Sequence, residues 1–192
     1  DILLTNCISD NIKFVNKNPE CKIVFSKIQT FGITNGIIPN KFDLRFFDKT
    51  SGEQNTYLKT FSFNIAPSSF INRKVLEKVG YADEKYKMIE DLPLWLNLTK
   101  AGYKLYFMDS ITVNYRIEAS ITVSIDKCAN IPFLYDLIAI NKDQGSYSLK
   151  NPLVSLIRLE KLGHLYYRIG VARVFKNKRN LHSDRLMKFS WF

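Results

Sequence analysis

Glu90 and Asp91 are adjacent carboxylates directly ahead of an apolar run, Leu92-Pro93-Leu94-Trp95-Leu96. Such a pair at a helix start can do two things. It can cap the helix by accepting hydrogen bonds from its first free N–H groups. Alternatively, one carboxylate, favoured as an anion by about 0.3–1 kcal/mol in the field of the helix N-terminus, can serve as a general base. A positioned base contributes typically ~10²–10⁴-fold to a proton-transfer step. Residue type alone leaves both readings open. Pro93 suits the first turn, where its missing N–H costs nothing.

The elements that would position this pair can be read from periodicity. Asn6–Asn16 predicts a short helix with Ile8, Ile12 and Val15 on one face, stopped by Asn18-Pro19. Lys22–Thr30 predicts a strand whose continuous apolar centre, Ile23-Val24-Phe25, suits burial on both faces. Gly32–Lys59 shows little periodicity and many turn formers, which predicts a long loop of the kind that binds ligands, acts as a lid or moves. Thr60–Ala66 reads as a strand, and Phe70–Val79 as a helix capped by Ser68 or Ser69 and ended by Gly80. Glu90–Ala101 reads as a second helix, with Leu94, Trp95 and Leu98 inward and Gly102 as its stop. Tyr103–Met108 and Ile111–Arg116 read as two short strands. Interleaved helices and strands predict an α/β class with a mixed sheet. After residue 126 the pattern turns all-helical, over Ala129–Asn141 and Pro152–Phe175.

Bulk properties bound the rest. The 192 residues suffice for one domain with a real core. A charged fraction of 24% beside 46% hydrophobic residues argues against disorder. Cys7, Cys21 and Cys128 lack CxxC spacing, and with only His164 and His182 they cannot build a zinc cluster. Reduced structural thiols are the expectation. No charged n-region with an apolar run opens the sequence, and no stretch of about 18 uncharged apolar residues is present. A cytoplasmic location, peripheral on the inner face of the membrane at most, is therefore expected. The net charge of +10 is concentrated after residue 126, where 12 Lys/Arg face 4 Asp/Glu. That asymmetry points to an anionic surface.

Four segments recur in a telling order: Val79-Gly80-Tyr81-Ala82-Asp83-Glu84 with Tyr86, then Ile89-Glu90-Asp91-Leu92-Pro93-Leu94-Trp95-Leu96, then Gly102-Tyr103-Lys104-Leu105-Tyr106-Phe107, then Tyr115-Arg116. With the strand-like Lys22–Lys27 and the Ala66-Pro67-Ser68-Ser69-Phe70 segment, residues 1–125 resemble the acceptor-side half of family 2 (GT-A type) glycosyltransferases.

The resemblance implies a partial GT-A domain over 1–126, followed by a basic helical extension over 127–192. It implies transfer of a single sugar, with inversion, from a nucleotide-sugar donor to a glycan or lipid-linked acceptor. Asp91 would be the base, and Glu90 would orient a neighbour or the donor. A divalent metal, Mn or Mg, is expected to balance the leaving group, and Asp1 stands where the last aspartate of its Asp-x-Asp motif would fall. Arg116 of the Tyr-Arg motif, Trp95, Tyr57 and Asn55 become candidate substrate contacts. Trp95 could stack on a sugar or fill the core beside Leu94 and Leu98, and Tyr57 and Asn55 could equally be ordinary loop residues. Two departures stand out: Glu118 where many relatives carry a histidine, and no Gln-x-x-Arg-Trp motif of processive enzymes. The family's nucleotide-binding β/α half would precede Asp1, so the chain by itself is expected to be inactive.

The C-terminal part supports a second reading, a non-enzymatic module that docks on membranes or polyanions. Residues 153–192 combine apolar helix, the Tyr166-Tyr167 pair, a basic tail and a terminal Trp191-Phe192. An anionic bilayer surface suits this mixture. Packing on a missing half, or on a second copy in a homodimer, is the structural alternative. Nucleic acid is the least favoured partner.

Overall fold

The computed structural model describes residues 1–38, 44–60, 66–117, 131–144 and 152–176. The expected Thr60–Ala66 strand lies mostly outside these residues, as do the basic tail after Lys176 and Cys128. The chain divides into two compact units, one of Asp1–Ala82 with Asp91–Glu118, the other of Asp83–Glu90 with Ala119–Phe192.

The first unit is α/β with a mixed sheet, as the alternation of elements predicts. Its strands are β1 (Ile2–Leu3), β2 (Ile23–Gly32), β3 (Gly36–Ile38), β4 (Phe70–Ile71) and β5 (Tyr106–Ile117). They lie in the order β1-β5-β2-β3, and β4 also pairs with β2. The central pair, β2 with β5, is parallel, and the other pairs are antiparallel. β2 is central for the reason its sequence suggests: Ile23, Val24 and Phe25 are all fully buried.

The helices of this unit are α1 (Cys7–Lys17), α2 (Ser51–Thr60), α3 (Arg73–Val79) and α4 (Asp91–Lys100). In α1 the buried face is Cys7 and Asn11, with Phe14 and Val15 packed on a core cluster of Cys21, Val24 and Met108. Ile8 and Ile12, expected to point inward with Val15, are instead exposed. Asn11 takes the inward place: its Nδ2 donates to Cys7 O at 2.8 Å, while its Oδ1 has no hydrogen-bond partner among the described residues.

Three further expectations are corrected. The segment Gly32–Lys59 is not one loop: it holds β3, a 3-10 turn at Leu44–Phe46 and the ten-residue α2. Phe70 and Ile71 form β4, and α3 starts after them with Asn72 as its cap, Oδ1 accepting from Lys74 N at 3.0 Å. Ser68, expected as a possible cap, is buried and accepts from Ser26 N at 3.2 Å instead. Finally, Tyr103–Met108 and Ile111–Arg116 are not two strands. One strand, β5, joins Tyr106–Met108 to Ile111–Arg116, with register shifts between Ser26 and Lys27, paired with Met108 and Ile111, and again between Lys27 and Ile28. The extra residues Asp109 and Ser110 are absorbed there, and Lys27 forms an ion pair with Asp109.

The second unit has α5 (Ile131–Asp143) and α6 (Pro152–Lys176), helical as expected. Leu134 and Ile138 of α5 pack against Leu165 and Ile169 of α6. No described helix is long and apolar enough to cross a membrane.

Candidate functional site

Asp91 opens α4, as its position before the apolar run predicts. Its side chain is half-buried, and Oδ1 accepts from Leu92 N at 2.7 Å. That bond keeps the carboxylate at the first turn of the helix, whose positive end favours negative charge. Gly80 ends α3 and Gly102 follows α4, with φ of 106° and 93° respectively. A Cβ would strain both turns.

Glu90 is exposed and belongs to the second unit, whereas Asp91 belongs to the first. The two acids are adjacent in sequence but are held by different packing. The segment that leads to Glu90 is tied to α5. Tyr86, 4% exposed, donates its hydroxyl to Asp143 Oδ2 at 2.9 Å. Lys85 Nζ lies 3.1 Å from Asp83 Oδ2 and 3.2 Å from Asp143 Oδ2. Met88 N donates to Asp136 Oδ2 at 2.7 Å.

Charges in this knot are shifted accordingly. The Tyr86 hydroxyl and then the Lys85 ammonium hold the Asp143 carboxyl below its ordinary range. Burial first, and Asp143 second, push the Tyr86 phenol up. Sequence reasoning missed Asp136 and Asp143. Their signal was a spacing of seven on a helical stretch, two turns on one face.

The other candidates fall into different surroundings. Asp1 and Arg116 meet: Asp1 Oδ1 accepts from Arg116 N at 3.1 Å, beside the β1–β5 pairing. The Arg116 guanidinium lies 5.4 Å from the centre of the Phe31 ring, and Arg116 is exposed. Trp95 is 2% exposed, with its ring edge-on to Phe25 at 4.9 Å. It belongs to the core, so its faces are not presented to a sugar. Asn55 is buried and bridges two helices, its Nδ2 donating to Leu96 O at 2.8 Å and Thr99 Oγ1 at 2.9 Å. Tyr57 rests on Phe46, with centroids 5.1 Å apart. Asn55 and Tyr57 therefore sit on α2 rather than on a loop. Asn55 acts there as a tie between α2 and α4.

Among the described residues no three His, Cys, Asp or Glu side chains gather into a metal-binding set. A divalent ion expects several oxygen ligands, and among the described residues Asp1 stands without a second such ligand beside it. The described residues do not by themselves make a divalent-cation site.

Comparison of the chain with protein-family models, with curated proteins and with solved structures gives no match.

Proposed function

We propose that the chain is the acceptor-side part of a GT-A glycosyltransferase that transfers one sugar with inversion. Asp91 takes the proton from an acceptor hydroxyl as that oxygen bonds to C1 of the donor sugar. The bond from C1 to the nucleoside diphosphate breaks on the opposite face, and the diphosphate leaves with the electron pair. The acceptor is a glycan or a lipid-linked sugar, and the donor is a nucleotide sugar.

The observation that carries this reading is the order of the motifs along the elements. Gly80 closes α3, Asp91 opens α4, Gly102 closes it, and Tyr115-Arg116 ends β5 beside Asp1. Asp1 and Arg116, far apart in sequence, are neighbours through a hydrogen bond from the Arg116 backbone N to Asp1 Oδ1. Glu90 is exposed, in keeping with an orienting role rather than that of the base.

The test is sugar transfer from a panel of nucleotide sugars to envelope glycans and lipid-linked acceptors by the complete gene product. Asp91→Asn should lower the rate by ~10²–10⁴-fold, with far-UV circular dichroism unchanged. Equal rates for Asp91→Asn and the parent would overturn the assignment of the base. Absence of transfer from every donor would overturn the enzyme reading itself and favour the non-enzymatic docking module.

A further inference from the structure

The outer side of α6 is apolar and uncovered. Leu156 is 62% exposed, Leu159 50%, Tyr166 46% and Tyr167 42%. With Gly163 they recur every three or four residues, so they share one side of the helix. Arg158, Leu165, Ile169 and Ala172 are buried on the opposite side, where Leu165 and Ile169 meet α5. The stripe is therefore not the helix's core face turned out by chance.

Its rim is cationic. Lys142 of α5 lies over the Tyr166 ring, Nζ 5.6 Å from its centre. Arg173 donates to the hydroxyl of Tyr135, which is itself 44% exposed. The cations at this rim are Lys142 and Arg173; Arg158 is buried on the other side, and Glu160 is exposed beside Leu159. Tyrosines with an apolar ring and a polar tip suit the boundary between lipid tails and headgroups.

We propose that this face of α6 docks in the headgroup region of an anionic membrane, lying in its plane. Leucine side chains enter the acyl boundary, the two tyrosines sit at headgroup level, and Lys142 and Arg173 meet lipid phosphates. Charge decides between lipid and a second copy. Two copies of this face would bring one basic rim against another, whereas an anionic lipid surface complements it. The inference does not require glycosyl transfer and goes beyond it.

The experiment is co-sedimentation of the full chain with vesicles of phosphatidylcholine, alone and mixed with phosphatidylglycerol. Binding to the mixed vesicles only, weakened by salt, is expected. Leu156→Ser with Leu159→Ser should weaken it by tenfold or more. Lys142→Glu with Arg173→Glu is a second, independent variant, expected to weaken binding to the mixed vesicles while the first pair leaves all charges in place. Circular dichroism reports the fold of each. Unchanged binding in the leucine variant would overturn the proposal, because the basic tail alone would then account for it. So would equal partition into neutral vesicles, or none into either. Concentration-dependent dimers abolished by the leucine variant would assign the face to a second copy, and salt-sensitive capture of DNA and RNA in place of vesicles would assign the basic part to polyanions. Either result overturns it.

Discussion

Gln54 clamps the backbone of Leu105: its Nε2 donates to Leu105 O at 2.9 Å, and its Oε1 accepts from Leu105 N at 2.8 Å. Both residues are fully buried. Nε2 also reaches Phe46 O at 3.2 Å, so one side chain joins α2, the 3-10 turn and the approach to β5. Gln54→Ala would leave the Leu105 amide and carbonyl without partners. It should cost about 2–6 kcal/mol, since each of the two orphaned buried groups costs about 1–3 kcal/mol. Urea unfolding measures it, and a cost below that of an ordinary surface substitution would show the clamp to be dispensable.

Asn72→Ala should destabilise the protein by about 1 kcal/mol through loss of the α3 cap. Ser69→Ala, beside it, should be close to neutral. Ser68→Ala should cost about as much as Asn72→Ala, but by stranding Ser26 N rather than by weakening a helix start. Comparing the three melting curves separates these causes.

Asp91→Ala should cost only about 0.5–1 kcal/mol of stability, the worth of a helix-start carboxylate. Activity lost in that variant would then be lost at the level of chemistry, because a change this small leaves nearly all of a stable domain folded. Thermal unfolding in parallel with the transfer assay makes the distinction.

The knot of Lys85, Tyr86 and Asp143 should loosen in acid. The folded Asp143 pKa is depressed by Tyr86 and Lys85. Its contribution is therefore full above the ordinary carboxylate value of 3.8 and is lost as pH falls from there through the lowered folded value. Amide exchange over residues 83–90 should quicken in that window. In Asp143→Asn the exchange should be faster at neutral pH and should depend less on acid.

Cys7 and Cys21 are free thiols buried in the first unit. Burial pushes the Cys21 thiol up to about 11, so its thiolate is scarce near neutral pH. Iodoacetamide should label neither cysteine in the folded protein and both in urea. Rapid labelling of Cys21 in buffer would contradict its placement.

Much of this fold could be read from the sequence, and the misses have specific causes. The centre of β2 was legible because its apolar run is continuous, and α4 because apolar periodicity ends at a glycine. α2 was not legible because its inward residues include Gln54 and Asn55, polar side chains that bond to Phe46 and Leu105 and to Leu96 and Thr99 rather than making an apolar stripe. β5 read as two strands because Asp109-Ser110 has turn chemistry, yet a bulge absorbs it. At the candidate site, the placement of Asp91 followed from local rules. The contact between Asp1 and Arg116 did not, since it depends on β1 lying beside the far end of β5. Residue type left Trp95 open between sugar and core, and Asn55 between acceptor and ordinary loop residue; burial places Trp95 in the core and Asn55 as a tie between two helices.

The parallel pairing of β2 with β5 has a consequence during synthesis. Val24 and Phe25 leave the ribosome long before their partners Tyr106 and Phe107 are made. At ordinary elongation rates the delay is on the order of ten seconds. Through that interval a strand with a fully buried apolar centre has an unfilled edge, able to pair with another nascent chain. β4 and β3 are made first, and both hydrogen-bond along the opposite edge of β2. The edge that waits is the one β5 later fills. Yield in cells should therefore depend on holdase chaperones during translation, however stable the finished fold.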